Sequence, residues 1–506
     1  MEILMRIDHI NIAASSTRRE FLAYCGVTAP LIAAAAASWA AQAATRDTDQ
    51  MAKAMHALAD TLEGDLLLPY DERFEPTRSV SWNQMLPDRR PDLIAMAESQ
   101  ADVVSTVLFA RDHSLRIAVR CGGHSWCASA VRQDGILLDL SRMKSIAIDP
   151  VGATATIEPN VQGVELIHRA ALQGLAFPVA HCPSVPLSGF LLSGGNGWNF
   201  NRWGRACTNV TAVDLVLADG RELTASNEQN SDLFWAARGA GPGFFAVVTR
   251  YHLKLHSLPR AITFSSYVFP GSAKDTPYEL MDSISGKLSP DVELLMSIGA
   301  PPPDLAGDND TISIITAIAF TDSAADAEDA LKPLNEDPRV RDAISSSVNA
   351  PGDFTALFGM MSESLPGGQR YLVDNIWSDT PLKTMLVGSR EHYADAPSGR
   401  SHILAIAFHP EFELKGTAHS LSKKYLVYNV TLWTDAADDV ANTAWHSGAT
   451  ELLEPHKAGR YIAEADLGKE ANVARQCYTP PAWERLRALR ATYDPGGLFH
   501  DYLGSA

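Results

Sequence analysis

Two short stretches concentrate residue types that do chemistry. The first, AVRCGGHSWCAS at 118–129, ends an apolar run in Arg120 and then sets Cys121, Gly122, Gly123, His124, Ser125 and Trp126 in succession. The glycines put no side chain in front of consecutive backbone N–H groups, an arrangement that suits a pyrophosphate, with His124 placed to touch the bound molecule. The competing reading is a tight strand-to-loop turn with a polar tip. The second stretch, AHCPSVPLSGFLLSGGNGWNFNRWG at 180–204, opens on Cys182, Pro183, Ser184 and Val185 and carries Gly189, Gly194, Gly195 and Gly197. Backbone lying close to a flat ligand explains that glycine density. A flexible surface loop would show it too, but GFLL and the tryptophan and phenylalanine residues argue for burial.

Other chemistries lack their residues. No GxGxxG follows a strand, and Walker A, HExxH and GxSxG patterns are absent. His181, His252 and His419 are scattered and read as surface or core polar groups. Beyond the N-terminal segment stand Cys121, Cys127, Cys182, Cys207 and Cys477, with no CxxC spacing, so no metal site is expected. An odd number leaves at least one thiol free or otherwise engaged. A formal charge of -18 repels phosphate backbones and argues against a nucleic-acid partner. With 506 residues, 46% of them hydrophobic, the chain has room for two or three domains.

The elements around the two stretches read as α+β. DLIAMAESQADVVSTVLFARDH is expected to be helical, with Val103, Val104, Val107 and Leu108 on one face, followed by the strand LRIAVR. GILLDLS is a strand, and SIAIDPVGATATIEP is a pair folded over a Pro-Val-Gly turn. A helix over GVELIHRAALQGL, a hairpin through Asp219–Gly220, a short helix SDLFWAARGAG capped by Ser231 or Asp232, and the strand FFAVVTRYHLKLH complete this unit. From Pro259 one pattern occurs twice: IITAIAFTDSAADAEDALKPL and LVYNVTLWTDAADDVANTAWHS each run strand, aromatic-Thr-Asp, then helix, with the Thr or Asp as cap. Repetition of that unit predicts an antiparallel sheet with helices on one face. The tail WERLRALRATYDPGGLFHDYL is an amphipathic helix stopped at Asp494-Pro495-Gly496.

The N-terminus reads as an export signal rather than as fold. Arg18 and Arg19 precede Phe21 and Leu22, an alanine-rich apolar run and the small-x-small site Ala41-Gln42-Ala43. It resembles a twin-arginine signal, which implies passage through the twin-arginine machinery as a folded protein and a periplasmic or secreted location. After cleavage no segment is apolar enough to remain in a membrane.

The fragments SWN (81–83), RCGGHSW, DLSRMKSIAIDP, CPSV, SGGNG, DLVLADG, DLFWAARGAGPGFF and YDPGGLF occur in the order seen in the vanillyl-alcohol oxidase superfamily. Together they resemble most closely its berberine bridge enzyme-like, FAD-linked oxidases. The resemblance implies a two-domain PCMH-type FAD-binding fold: signal 1–43, FAD-binding domain 44–258, substrate domain 259–460 on an antiparallel sheet backed by helices, and a segment 461–506 returning to the FAD domain. It implies covalent FAD, through His124 as an 8α-histidyl bond and, as in many members, through Cys182 at flavin C6. The cofactor contacts it implies are Arg120, Cys121, Gly122, Gly123, Ser125, Trp126, Pro183, Ser184, Val185, Gly189, Gly194, Gly195, Gly197 and Val247. At the family's oxygen-access position stands Val185, which leaves room for O2 where leucine obstructs it. Pro186 replaces the usual next glycine and weakens the case for the cysteinyl bond.

On the substrate side the chain departs from the family. Where many members carry Y-x-N-Y-x-D with the second tyrosine as base, this chain has Tyr461-Ile462-Ala463-Glu464-Ala465-Asp466, so Glu464 takes the base position on an expected strand and Tyr461 is the next candidate. Pro481-Ala482 replace the family's Asn-Asn. Tyr425, Tyr428 and Asn429 lie on a strand near the pocket, and alternation lets only one face line it. The resulting expectation is an exported FAD-dependent oxidase that moves a hydride from an alcohol, amine or phenolic small molecule to FAD, with O2 as acceptor. The rivals are a periplasmic dehydrogenase using quinone or cytochrome and a non-enzymatic flavoprotein that sequesters an aromatic compound.

Overall fold

The computed structural model describes residues 50–306, 310–409 and 414–504. Residues 50–61 form a helix within a first compact unit, Met1–Thr61; the second unit runs from Leu62 to Ala506. Arg18, Arg19 and Ala41–Ala43 lie outside the described residues. Among the described residues no helix is long and apolar enough to cross a membrane.

Two sheets carry the glycine-rich loops. The first orders Asp65–Leu67, Leu93–Met96, Ile136–Asp139 and Ile117–Arg120, parallel except for its first pair. The helix expected from Asp92 begins only at Gln100, and Leu93–Met96 is a strand. Leu93, Ile94 and Ala95 are all buried, so the run shows no periodicity that separates a buried strand from a helix. Ser99 marks the true start, its side chain accepting from Asp102 N. The second sheet is antiparallel, ordered Ile146–Asp149, Thr154–Ile157, Ala246–Lys254, Val210–Leu217 and Glu222–Ser226, with both expected hairpins. The cap of the helix Ser231–Ala237 is Asn230 at φ 50°, not Ser231 or Asp232.

The remaining strands form one seven-stranded antiparallel sheet: Ser345–Gly352, Ala261–Pro270, Ile312–Thr321, Val292–Gly299, His402–Ala407, Tyr425–Trp433, Arg370–Ser378. The helices Ala324–Asn335 and Asp439–Leu453 follow their strands as the repeated pattern predicts. Ser323, one residue beyond the expected Thr321–Asp322, caps the first, and Asp435 caps a short turn before the second. Side-chain alternation divides the strand Tyr425–Trp433. Tyr425 and Asn429 face the helices, where Tyr425 donates to Asp282 Oδ1 (2.7 Å) and Asn429 to Thr450 Oγ1 (3.1 Å). Tyr428 faces the other way, into a cluster with Tyr371, Trp377 and Tyr461, against which Trp126 and Cys182 pack.

Residues beyond 493 return to the first sheet. Asp494 ends the helix Pro480–Tyr493 and accepts from Leu498 N (2.7 Å) and Phe499 N (3.0 Å). Ile117 N then donates to Leu498 O (2.8 Å), and His500 N to Ile117 O (2.9 Å). The strand that leads into GGHS is thereby held on both edges.

Candidate active site

The first loop is anchored from below by Arg120. Its guanidinium donates to Asp139 Oδ2 (2.8 and 2.5 Å), Thr77 O (2.7 Å) and Arg78 O (3.0 Å), with both side chains of the ion pair 2% exposed. The Arg120 side chain is thus engaged by protein and holds the turn. Breaking such a buried pair on one side costs about 3–5 kcal/mol. Gly123 sits at φ +70°, and a Cβ there would stand 2.6 Å from Val80 O. His124 projects from this turn with its ring stacked on Trp82 (centroids 4.8 Å apart, 23°) and Nε2 3.3 Å from Ser184 Oγ. Burial pulls the His124 imidazole down to about 4, against the hydrogen bond to Ser184. It is therefore neutral at neutral pH and keeps a lone pair for bonding to carbon.

The second loop faces the first. A Cβ on Gly122 would stand 2.2 Å from Pro186 Cγ, so the glycine exists to let the two loops close on each other. Pro186 begins the helix Leu187–Leu192, while Pro183 O and Val185 O accept from Val164 N (3.1 Å) and Gly163 N (3.0 Å). The glycines that follow pack closely against protein. A Cβ on Gly194 would meet the His419 ring at 2.7 Å, on Gly195 the Ala206 Cβ at 2.7 Å, and on Gly197 Pro178 O at 2.4 Å. Close packing of protein on protein is what excludes side chains there. Gly189 differs: it is exposed, between the buried Ser188 and the partly buried Phe190, and no contact within 4 Å is found for its Cβ position.

Glu464 lies on a turn rather than on the expected strand. Glu464 N and Ala465 N both donate to Tyr461 O (3.2 and 3.0 Å). Asn375 pins that turn to the sheet, accepting from Tyr461 N (2.7 Å) and donating to Tyr461 O (3.2 Å). Next to it the buried Arg460 pairs with Asp374 (2.6 Å). Burial pushes the Glu464 carboxyl up, against the Tyr428 hydroxyl and the His181 charge, which favour its ionised form. Cys182 stands beside it: burial, then the Glu464 charge, pushes the thiol up to about 12. Tyr461 is an anchor, since its hydroxyl accepts from Gly195 N (3.1 Å) and Asn196 N (3.3 Å) and burial pushes it up.

The structure therefore brings together His124, Ser184, Cys182, Trp126, Tyr461 and Glu464. Val247 is paired with Val216 inside the second sheet, and burial pushes the Cys121 thiol of the first loop up to about 12. Asn83 was not assigned a role from sequence, yet its amide donates to Trp126 O (2.7 Å) and Tyr371 O (2.9 Å), tying the first loop to the large sheet. Its position in SWN, directly after the tryptophan that stacks on His124, was the available signal. All five cysteines beyond residue 100 are free thiols, and among the described residues no group of three His, Cys, Asp or Glu could hold a metal ion.

The family profile described as an FAD binding domain matches residues 91–226, the span that holds both loops. The FAD-linked oxidoreductase janO of Penicillium janthinellum is 28% identical over 436 residues, covering 83% of this chain and 93% of its own. This chain is similar to FAD-linked oxidoreductases over most of its length and is an FAD-dependent oxidoreductase. The (R)-6-hydroxynicotine oxidase of Paenarthrobacter nicotinovorans is 38% identical over 200 residues, 40% of this chain and 43% of its own. The crystal structure of 6-hydroxy-D-nicotine oxidase from Arthrobacter nicotinovorans superposes with a TM-score of 0.75 at 25% identity, covering 87% of this chain and 97% of that one. The berberine bridge enzyme-like protein 1 of Physcomitrella patens shares the fold at 17% identity, with a TM-score of 0.74 over 88% and 98% of the chains. The expected α+β PCMH-type fold and the FAD-dependent oxidoreductase class are both established. The residues fit the cofactor: the buried side-chain amide of Asn196 and the Trp82 indole N–H have no partner among the described residues, and His124 Nε2 meets only a serine hydroxyl.

Proposed function

We propose that this FAD-dependent oxidoreductase is an exported oxidase in which Glu464 is the base. The observation that carries this reading is the Glu464 carboxyl, held by its turn against Tyr428 and beside the Cys182 loop. A buried carboxyl whose affinity for a proton is raised is matched to removing one near neutral pH. The name of the nicotine oxidase relative, similar over 200 residues, supports an oxidase.

FAD, when bound, supplies the hydride acceptor. His124 and Cys182 are the residues that would hold it covalently, with the main chain at Gly122–Ser125 and the open face at Gly189 as further contacts. Glu464 takes the proton from the substrate's O–H or N–H as the adjacent C–H bond is broken. Tyr428 orients that carboxyl, and Asn375 and Arg460 fix the turn that carries it. Val185 leaves the space through which O2 reaches the site. Export through the twin-arginine route follows from Arg18 and Arg19, and their replacement by lysine is expected to trap the protein in the cytoplasm.

The deciding experiment is Glu464→Gln in the flavin-loaded enzyme. Gln keeps the shape and removes the base, so anaerobic flavin reduction is expected to slow by about 10²- to 10⁴-fold. A near-normal rate would overturn the assignment.

A further inference from the structure

The ring of His124 is held on one face and at one nitrogen. Trp82 stacks on it with centroids 4.8 Å apart and planes 23° apart, and Nε2 lies 3.3 Å from Ser184 Oγ. Both partners are themselves tied down. Trp82 N donates to Gly123 O (2.9 Å), and a Cβ on Gly367 would stand 3.3 Å from the far edge of the indole. Ser184 lies between Pro183 O and Val185 O, which accept from Val164 N (3.1 Å) and Gly163 N (3.0 Å) at the start of the helix Gly163–Ala171. An imidazole has two flip states about its terminal torsion. Only one of them sets Nε2 against the Ser184 hydroxyl; the other puts carbon there. The Ser184 main chain favours the charged imidazole, so it faces the ring as an acceptor. An acceptor on that side calls for a proton on the ring nitrogen turned toward it. Nδ1 makes no hydrogen bond among the described residues. In a neutral imidazole with its proton on Nε2, the lone pair stands on Nδ1.

We propose that Ser184 is a positioning residue for the bond between His124 and FAD: its hydroxyl accepts from Nε2–H, fixes the flip state of the ring beneath Trp82 and leaves Nδ1 as the joining atom. This rests on His124 as the attachment residue. The Nδ1–C8α bond forms while the C8α–H and Nε2–H bonds break, both hydrogens leaving as protons, the second by way of the Ser184 hydroxyl. C8α is oxidised by two electrons, and the flavin ring takes them up. O2, the acceptor of the proposed oxidase, then removes them with two protons as hydrogen peroxide. Burial is the leading influence on the imidazole and keeps it neutral, so its lone pair is available at neutral pH. Ser184 stands two residues after Cys182. One loop therefore serves both candidate links, with a thiol for one and an orienting hydroxyl for the other.

The test uses the full chain in a Cys182→Ala background, where His124 is the remaining link. To this parent are added Ser184→Ala, Ser184→Thr or His124→Ala. Cells are harvested at intervals after induction, and the flavin bound to each purified protein is divided by acid precipitation into attached and released. Ser184→Ala is expected to bind FAD as fully as the parent but to attach it roughly tenfold more slowly, the worth of one lost orienting hydrogen bond. Ser184→Thr keeps the hydroxyl and should attach at close to the parental rate. In the flavinyl peptide cut from the parent, NMR correlations should place the bond at Nδ1. Four results would each overturn the role of Ser184 while leaving His124 as the link: parental attachment in Ser184→Ala, a loss of FAD binding equal to the loss of attachment, an equally slow Ser184→Thr, or a bond at Nε2. Flavin released in full from the parent, or retained by His124→Ala, would remove His124 as the link and this inference with it.

Discussion

Asn83 and Tyr371, 288 residues apart, exchange two hydrogen bonds: Tyr371 N donates to Asn83 Oδ1 (2.8 Å) and Asn83 Nδ2 to Tyr371 O (2.9 Å). The same amide holds Trp126 O, so one side chain joins the histidine-bearing loop to the edge strand of the large sheet. Asn83→Ala leaves four backbone groups without their side-chain partner, the buried Tyr371 N and O and the partly buried Trp126 O and Met85 N, and is expected to cost about 2–4 kcal/mol. Urea denaturation measures the cost, and a midpoint equal to wild type would show that the clamp contributes nothing.

Attachment of the cofactor is read by acid precipitation. Flavin absorbance is expected to stay with the wild-type polypeptide and to leave the His124→Ala, Cys182→Ala double variant. Each single variant should keep one link. If Cys182→Ala leaves the absorbance spectrum unchanged, the cysteinyl bond does not form, as a thiol held near 12 would favour.

Tyr461 and Glu464 share a turn but should fail differently. Tyr461→Phe removes the acceptor for Gly195 N and Asn196 N and is expected to lower thermal stability and flavin retention. The pH profile of flavin reduction should keep its shape. A lost acid limb in Tyr461→Phe would make the tyrosine the base.

Oxygen access can be separated from substrate oxidation at Val185. Val185→Leu is expected to slow reoxidation of the reduced flavin by air at least tenfold while anaerobic reduction is unaffected, a loss of over ~1.4 kcal/mol in one half-reaction only. Stoichiometric peroxide from the wild type would mark the oxidase; equal reoxidation in both proteins would move the oxygen path elsewhere.

Two buried histidines make the fold acid-labile. Burial, then a nearby cation (Arg205 for His419, Lys469 for His446), lowers each to about 3. Below about pH 6.5 the unfolded chain takes up those protons and the native chain does not, so stability falls with falling pH by about 1.4 kcal/mol per unit for each histidine. His446→Gln should flatten the loss between about pH 6 and pH 4 by that amount relative to wild type. Parallel curves would show that His446 is protonated in the native state.

The chemistry of the site was more legible than its scaffolding. GGHS, CPSV and Glu464 carry their residue types in the sequence, and the repeated strand-Thr-Asp-helix unit predicted the large sheet. Contacts between distant segments were not legible. Nothing local distinguishes a glycine that admits a ligand from one that admits Pro186 or His419, because both need only the missing Cβ. Leu93–Met96 was hidden for a related reason, since a strand buried on both faces loses its alternation. His181 looked like an isolated polar residue because its partner, Glu293, lies 112 positions away.

The hydrogen bonds between Ile117 and the Leu498–His500 segment bear on how the protein is made. A ribosome delivers the strand bearing Arg120 and His124 long before the residues that close its far edge. The strand that leads into GGHS therefore lacks the partner on its far edge throughout most of synthesis. Premature termination anywhere before residue 498 removes the last strut of a site encoded nearly four hundred codons earlier. Such a product would lack that strut even though every candidate cofactor residue had been translated.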